Sequence, residues 1–305
     1  MDTARQAPTG IRLDKEVCIM QSILQVKDLV KRYRAFTLDH VSFSLPKGSI
    51  LGLIGENGAG KTTTLKLILN LIRKEGGTVS LFGMDPVRQE RQVKEQIGVV
   101  LDESYFHDTL TPKDVAAVLR RIYPGWDDGL FERYLRRFSL PKGQAIKEFS
   151  RGMKKKLSIA SALGHRPRLL ILDEATSGLD PVVRSEILDV FLDFIQDEEH
   201  SILLSSHITS DLEKIADYLV FLHKGRVVFE EPKDDLLQRY GVLRCGEDVF
   251  ARLERSQRVG YRRSRFGYEV LVRDRAALRR RFPSAVVDAA TIEDIMLFYV
   301  RGEQQ

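Results

Sequence analysis

The sequence predicts an α/β domain built on a largely parallel β-sheet, followed by a small α+β extension. Residues 50–54, 169–172 and 202–204 form short, continuous apolar runs, which are typical of strands buried on both faces of a parallel sheet. A glycine-rich turn follows the first run, and apolar residues then recur at helical spacing. From residue 241 the chain changes to an Arg-rich mixture of strand and helix patterns.

The other elements follow in chain order. A strand pattern begins at residue 23, and residues 38–45 alternate apolar and polar side chains before a Pro-Lys-Gly break. Residues 103–165 are mostly helical by periodicity, residues 219–229 predict a hairpin, and residues 292–300 predict a closing helix. We therefore divide the chain into an N-terminal extension (1–21) that we expect to be disordered, a main domain (22–240, with its helical part at about 103–165) and a small C-terminal domain (241–305).

Composition and charge exclude several classes of protein. The two cysteines, Cys18 and Cys245, have no metal-like spacing, which argues against a disulfide framework and favours a reducing cytosol. No run approaches the ~18 apolar residues that would cross a bilayer, and no apolar stretch suggests a signal peptide. Thirteen Arg, no Lys and nine acidic residues give residues 241–305 a net charge of +4. This region could bind phosphates, anionic lipids or an acidic partner, or its charges could simply be solvated.

A phosphate-binding loop is the strongest motif. Residues 55–62, Gly-Glu-Asn-Gly-Ala-Gly-Lys-Thr, match the pattern G-x-x-x-x-G-K-[ST] between a buried strand and a helix, which argues against a mere tight turn. The glycines let backbone N–H groups converge on phosphates, and the helix N-terminus adds a favourable dipole. Lys61 is expected to neutralise the β- and γ-phosphates, and the Thr62 hydroxyl to ligate Mg²⁺. The predicted nucleotide-binding residues of this loop are Gly55, Asn57, Gly58, Ala59, Gly60, Lys61, Thr62 and Thr63.

An acidic pair follows the apolar run 169–172. Asp173 is a hard oxygen ligand that could hold Mg²⁺ directly or through water. Glu174 comes next and could polarise an attacking water as a general base. An apolar strand that ends in two acids often only meets solvent, but the upstream phosphate loop favours the catalytic interpretation.

Together these motifs resemble the nucleotide-binding subunit of an ABC transporter, over roughly residues 22–240. The resemblance implies an ABC-type P-loop NTPase domain, in which a parallel core sheet is accompanied by an antiparallel β subdomain and a helical subdomain. It also implies ATP and Mg²⁺ as cofactors. Tyr33 fits the aromatic residue that stacks on adenine in this family, although aromatic residues are also common in protein cores.

Three further segments extend the resemblance. Residues 149–153, Phe-Ser-Arg-Gly-Met, stand where the family places its L-S-G-G-Q signature, so that Ser150 and Gly152 would contact ATP bound by a second subunit. Residues 177–180 resemble the D-loop, whose Asp180 lies near the partner's nucleotide and can also cap a helix. His207 matches the switch histidine that touches the γ-phosphate; a structural role is the alternative.

Arg151 and Met153 depart from the signature pattern, which leaves their contribution open, and two further features depart from the family pattern or stand outside it. Asp102 occupies the position, after the strand at 97–101, where the family usually has a Gln that senses Mg²⁺ and water. An ionised Asp only accepts hydrogen bonds, whereas Gln can also donate them. Asp102 could therefore bind the metal through water, and the signal that this position sends to the membrane subunit could be altered. Residues 154–156, three consecutive lysines, are interpreted as a solvated basic turn of helix.

The resemblance implies a transport ATPase that lies at the cytoplasmic face of a membrane and works with separate integral-membrane permease subunits. Two copies, or this chain and a paralogue, would clamp two ATP molecules head to tail, in a system closer to bacterial exporters than to importers. An ABC ATPase acting on ribosomes or DNA is the alternative. The single phosphate loop and the 89-residue separation of Lys61 from Ser150, too short for a long coiled coil, argue against it, and no nucleic acid is expected. Glu174 and His207 argue against a module that binds ATP without turnover.

Overall fold

The computed structural model describes residues 22–102, 106–265 and 267–302. The predicted N-terminal extension (1–21) and the first three residues of the predicted helical part lie outside these ranges. The strands are β1 (Ser22–Arg32), β2 (Thr37–Pro46), β3 (Ile50–Ile54), β4 (Gly76–Leu81), β5 (Ile97–Val100), β6 (Leu169–Asp173), β7 (Ser201–Ser206), β8 (Tyr218–His223), β9 (Arg226–Pro232), β10 (Gly241–Cys245), β11 (Arg258–Ser264), β12 (Gly267–Val272) and β13 (Val286–Ala289).

The helices are α1 (Lys61–Ile68), α2 (Glu90–Lys94), α3 (Pro112–Ile122), α4 (Asp128–Arg137), α5 (Arg151–Leu163), α6 (Pro181–Phe194), α7 (Thr209–Ile215), α8 (Lys233–Arg239), α9 (Glu247–Ala251), α10 (Arg275–Arg281) and α11 (Ile292–Arg301). Short 3-10 turns occupy Ile146–Glu148 and Arg255–Gln257. No helix in the described ranges is long and apolar enough to span a bilayer.

The central sheet has six strands in the order β5-β6-β7-β3-β8-β9. Its first five strands are parallel, and only β9 runs antiparallel, as the second strand of the predicted hairpin. Every residue of β3, β6 and β7 is buried, because helices and the second sheet cover both faces. The prediction of a parallel core sheet from three apolar runs is therefore confirmed.

A second sheet, antiparallel and three-stranded, has the order β2-β1-β4. Its inward side chains, among them Leu24, Val41 and Leu45, share one apolar cluster with Leu51, Leu53 and other residues of the central sheet. The alternation of residues 38–45 thus corresponds to a strand with one buried face, as predicted. Helix α1 packs into the same cluster through Leu65 and Ile68.

The region between β5 and β6 is helical, as the periodicity predicts. Helices α3, α4 and α5 begin at residues whose side chains accept a backbone N–H of the first turn: Thr111, Asp127 and Ser150. Phe131 and Phe138 are 2% exposed, because α4 packs its apolar face on the neighbouring helices. This region stands beside the carboxyl end of β5 and so beside Asp102.

The C-terminal region forms a third sheet, antiparallel, in the order β11-β12-β10-β13. Several of its arginines have structural contacts: the Arg258 guanidinium lies 4.2 Å from the Phe250 ring centroid and that of Arg262 lies 4.7 Å from Phe298. Arg244 pairs with Glu269 and Asp288. The positive charge of this region is therefore partly used inside the fold, and only part of it is a free solvated surface.

Candidate active site

Three loops meet at one edge of the central sheet because β6, β7 and β3 are adjacent and parallel. Ile54, the last residue of β3, pairs with Ser206, and Asp173, the last residue of β6, pairs with Ser205. The phosphate loop, the acidic pair and His207 therefore leave the sheet side by side. Ligands of open α/β sheets bind outside the carboxyl ends of the strands, so the topology itself selects this edge.

The phosphate loop has a backbone that only small residues permit. Gly58 and Gly60 have φ angles of 81° and 112°, in the region that favours glycine. A Cβ on Gly55 would lie 2.5 Å from the Leu222 carbonyl oxygen. Gly60 caps α1 without a side-chain hydrogen bond, so the first N–H groups of this helix have no side-chain acceptor at the cap. Those N–H groups and the helix dipole suit an anionic ligand.

The Glu174 carboxylate lies between Lys61 and His207. The Lys61 ammonium donates to the Gly55 carbonyl at 2.8 Å and lies 3.6 Å from Glu174 Oε1. Glu174 Oε2 lies 2.7 Å from His207 Nδ1. An ionised carboxylate can only accept, so the shared proton belongs to Nδ1 when Glu174 is charged. The carboxylate thereby accepts a hydrogen bond from His207 and forms an ion pair with Lys61.

Glu174 also has an unusual backbone. Its φ angle is 49°, in the left-handed region that non-glycine residues seldom occupy, and seven other described non-glycine residues share this property. Its N–H donates to the Ser205 carbonyl at 3.1 Å, and its carbonyl accepts from the Ser177 N–H at 3.2 Å. These two bonds hold the turn that brings the carboxylate out of the strand.

The phosphate loop, Glu174 and His207 line a cavity of about 660 Å³. Nine of the predicted site residues line it: Asn57, Gly58, Gly60, Lys61, Thr62, Thr63, Asp102, Glu174 and His207. Asp102, which follows β5, lies at the same edge of the sheet as the phosphate loop. The buried Gly55 and Ala59 support the loop from behind.

The predicted metal ligands carry the oxygen donors that a hard divalent cation prefers, but Asp173 is not among the residues that line the cavity. Asp173 is 2% exposed, and its Oδ1 accepts the Ser205 hydroxyl at 2.5 Å, which leaves the second carboxylate oxygen for another partner. Thr62 and Asp102 are exposed in the cavity lining. Hydroxyl and carboxylate oxygens are the donors that Mg²⁺ prefers, commonly with several waters retained.

Tyr33 does not line this cavity. It is 46% exposed, its ring lies 5.5 Å from the Lys31 ammonium, and its N–H donates to the Phe36 carbonyl at 2.7 Å. Ala35 and Phe36, from the same turn, line the cavity instead. The adenine role of Tyr33 stays a prediction, and Phe36 is an aromatic that the sequence argument did not consider although it lies only three residues away.

Ser150, Gly152 and Asp180 are also absent from the cavity lining. Ser150 caps α5 and accepts the Met153 N–H at 3.2 Å, while Gly152 faces Val183 of α6. Asp180 caps α6 and accepts two N–H groups, those of Val182 and Val183. The helix cap expected at Asp180 is confirmed; the contacts of all three residues with a second subunit stay predictions.

The interpretation of residues 154–156 as a solvated basic turn is wrong for two of the three lysines. Lys155 is 5% exposed, and its ammonium donates to the carbonyls of Leu101 and Asp102. Burial lowers the pKa of the Lys155 ammonium, and the charge of Asp102 acts in the opposite direction. The Lys156 side chain is 11% exposed and pairs with Glu186. Helical periodicity alone does not show that this turn lies between the segment after β5 and helix α6.

Ser205 is another residue that the sequence argument left out. It is fully buried and holds both the Asp173 side chain and the Glu174 N–H. The sequence held a signal for this role, since the strand at 201–206 has three serines that flank its apolar run of three residues. A buried hydroxyl needs a partner, and the acidic end of a neighbouring strand supplies one.

Known proteins resemble this chain in sequence. The family model for ABC transporters matches residues 38–177. The ABC transporter ATP-binding protein YtrB of Bacillus subtilis (strain 168) is 34% identical over 212 residues, which cover 70% of this chain and 72% of that protein. The bacitracin transport ATP-binding protein BcrA of Bacillus licheniformis is 33% identical over 223 residues, 72% of this chain and 73% of that protein.

A solved structure gives the same result in three dimensions. An ATP-binding subunit of an ABC transporter superimposes with a TM-score of 0.64 at 32% identity, covering 70% of this chain and 92% of that one. The resemblance inferred from the motifs is thus confirmed by sequence relatives and by fold. The chain belongs to the ABC transporter family, as one of its ATP-binding subunits.

Proposed function

We propose that this ATP-binding subunit hydrolyses ATP with Glu174 as the general base and thereby drives a membrane transporter. The observation that carries the proposal is the position of the Glu174 carboxylate. It lies 3.6 Å from Lys61 and 2.7 Å from His207, in the lining of the cavity that the phosphate loop also lines. A base must stand beside the bound phosphate to activate water there.

Each residue of the site has a separate role in the proposed reaction. Backbone N–H groups of residues 57–62 and the Lys61 ammonium bind the β- and γ-phosphates. Glu174 takes a proton from a water molecule while the oxygen of that water attacks the γ-phosphorus. The bond between the γ-phosphorus and the oxygen that bridges to the β-phosphate breaks, which releases ADP. His207 donates from Nδ1 to Glu174 and so orients the carboxylate. Magnesium bound with the nucleotide supplies charge neutralisation; Thr62, Asp173 and Asp102 would hold it, directly or through water.

The active form is a head-to-tail dimer, either of two copies or of this chain and a paralogue. Ser150 and Gly152 do not line the chain's own nucleotide cavity, although a hydroxyl and a backbone N–H at this position can donate to phosphate. A second subunit that presents these groups would complete the site. In the dimer, Asp180 would lie near the partner's nucleotide.

The transporter itself requires integral-membrane permease subunits, with this chain bound peripherally at the cytoplasmic face. Expression of the native operon should recover the chain together with a hydrophobic, multi-spanning protein. Recovery only with ribosomes or DNA would instead favour the alternative in which the ATPase acts on nucleic-acid machinery.

Glu174→Gln tests the catalytic assignment. The amide keeps the size of the side chain but cannot accept the proton, so turnover should fall by about 10²–10⁴-fold. Binding of ATP should persist, and a dimer should accumulate in MgATP on size-exclusion chromatography.

Glu132→Gln is the matched control, because Glu132 is exposed on α4 and pairs with Lys142 away from the cavity. This variant should hydrolyse ATP like the wild type. Wild-type turnover in Glu174→Gln would remove Glu174 from the role of base.

A further inference from the structure

Lys155 is a buried lysine that the proposed hydrolysis does not use. It lies in the second turn of α5, and its ammonium donates to the carbonyl oxygens of Leu101, at 3.1 Å, and Asp102, at 3.0 Å. Both carbonyls belong to the segment that leaves β5 and brings Asp102 to the nucleotide cavity. Lys155 therefore attaches this segment to α5.

The helix that contains Lys155 also carries Ser150, at its N-terminus. Ser150 caps α5 five residues before Lys155, less than two helical turns away. Arg151 lies against Gly178, where a Cβ would stand 2.3 Å from a guanidinium nitrogen. Over so short a distance a helix moves as a rigid element, so a displacement of the Asp102 segment is carried to Ser150 and to the D-loop.

Neighbouring lysines strengthen the attachment. Lys154 donates to Asp108, in the loop that follows the Asp102 segment, at 2.9 Å. Lys156 donates to Glu186 of α6 at 2.6 Å. The first turns of α5 are thus bound on one side to the Asp102 region and on the other to the helix that follows the D-loop.

Packing alone does not require an ammonium at this position. Burying a positive charge is costly, and a methionine of similar length would fill the space without that cost. Burial lowers the pKa of the Lys155 ammonium; Asp102 opposes this shift and the charge of Arg151 adds to it, while Asp173 and Glu174 oppose it more weakly. The two directed hydrogen bonds and this charge indicate that Lys155 positions the segment.

We propose that Lys155 is a positioning residue that couples the two nucleotide sites of the dimer. It fixes the Asp102 segment, which faces the chain's own ATP, to the helix that presents Ser150 to the partner's ATP. The proposal rests on the head-to-tail dimer proposed above. Nucleotide bound beside Asp102 then changes the position of Ser150 in the second site, and the two sites cooperate.

Lys155→Met and Lys155→Arg test the coupling in the full chain. Met removes the charge and both hydrogen bonds, whereas Arg keeps a cationic donor. Hydrolysis is measured against MgATP concentration, and binding of a fluorescent ATP analogue is measured separately. In Lys155→Met we expect a Hill coefficient near 1 and a kcat lower by roughly 2- to 30-fold. Binding of the analogue by the phosphate loop should change by less than about twofold.

Lys155→Arg should restore most of the kcat and of the cooperativity, which a purely space-filling role would not predict. Lys155→Leu, which also removes the charge and both hydrogen bonds, replaces Lys155→Met if that variant does not fold, with the same expected loss of cooperativity. Lys142→Gln is the control, since Lys142 pairs with Glu132 on the exposed face of the helical region. It should behave like the wild type.

A double-mutant cycle with Asp102→Asn adds an independent measurement. Because Lys155 acts through the Asp102 segment, the effects on kcat should be non-additive. Additive effects, a wild-type Hill coefficient of 1, or unchanged cooperativity in Lys155→Met would each overturn the inference. If the wild type itself neither hydrolyses ATP nor associates, the proposed function fails instead, so the two failures are distinguishable.

Discussion

At the scale of single residues, the hydrogen bond between Ser205 and Asp173 decides how the site can hold a cation. Both side chains are at most 2% exposed, and the hydroxyl lies 2.5 Å from Oδ1. A ligating carboxylate that is held by a second hydrogen bond has a fixed orientation and one oxygen free for the metal. In the proposed site, Ser205 would therefore act on the metal through Asp173, without touching it.

Ser205→Ala should raise the Mg²⁺ concentration needed for half-maximal hydrolysis by roughly 10- to 100-fold, the usual cost of losing such an outer hydrogen bond. The measurement is ATPase activity as a function of free Mg²⁺ at saturating ATP. Ser201→Ala is the matched control: Ser201 is equally buried at the other end of β7, and its hydroxyl accepts only the Gly48 N–H. An unchanged Mg²⁺ requirement in Ser205→Ala would contradict the role of Ser205.

At the scale of elements, α6 and α7 are joined behind the active site by a buried aspartate. Asp211 is fully buried in α7; its Oδ2 accepts the Thr176 hydroxyl at 2.7 Å and its Oδ1 accepts Arg184 Nε at 2.5 Å. Thr176 follows Glu174 by two residues, and α7 begins two residues after His207. The network thus fixes the two loops that carry Glu174 and His207, the proposed catalytic residues.

Removing one member of a buried ion pair leaves the other charge without compensation. We expect Asp211→Ala to lower the free energy of unfolding by about 3 kcal/mol, the low end for such pairs because the Arg184 side chain is 25% exposed. Urea titration measures this change. Asp193→Ala, which removes the exposed partner of Arg137, should cost less than about 1 kcal/mol, and equal losses in the two variants would contradict the argument.

A second element-scale feature is the buried His165, at the end of α5. Its Nε2 lies 3.0 Å from the Ile97 carbonyl of β5, its ring stacks on Tyr123 at 4.0 Å, and burial lowers the pKa of the imidazole. Tyr123, which follows the last residue of α3 and stacks on the imidazole, has a pKa raised by burial. The lowered pKa of His165 favours the neutral imidazole in the folded chain, in which Nε2 donates to the Ile97 carbonyl.

The sign of the pH dependence follows from this lowered pKa. Below about pH 6.5 the unfolded chain binds a proton that the folded chain does not, so the free energy of unfolding falls as the pH falls. We expect His165→Gln, which has no titratable group but can still donate to Ile97, to lose less stability than the wild type between pH 7.5 and 5.5. Urea unfolding at the two pH values gives both slopes; equal slopes would show that His165 does not contribute.

At the scale of the whole molecule, the C-terminal region shares the core of the main domain. Ile292, Ile295 and Phe298 of α11 belong to the same apolar cluster as Phe221 of the central sheet. The Tyr299 ring lies 5.8 Å from that of Phe221, and the Ile292 N–H donates to Glu213 of α7 at 2.8 Å. The boundary at residue 240 that we predict from composition therefore lies between the central sheet and the C-terminal sheet, and α11 packs against the core of the main domain across it.

A shared core should make the two regions unfold together. We expect a single calorimetric transition for the whole chain. Phe298→Ala should lower its midpoint, because truncation of a buried Phe costs about 3–5 kcal/mol. Two resolved transitions, or a loss confined to the C-terminal region, would show that the regions are independent.

By itself the sequence determined the phosphate loop, the acidic pair and the parallel strands that carry them. Residues 55–62 specify their conformation locally, through glycines and a helix start, and residues 169–172 are apolar throughout because both faces of their strand are covered. These signals lie within a few consecutive residues, so no knowledge of distant contacts is needed to recognise them.

Only the tertiary structure decided which side chains meet across the edge of the sheet. Ser205 reaches Asp173 because β7 lies beside β6 in a defined register, and Phe36, not Tyr33, lines the cavity because of the way the turn after β1 folds back. The identity of Lys155 gives no indication whether its ammonium meets water or a carbonyl. Such contacts join residues that are tens of positions apart, and the packing of whole elements determines them.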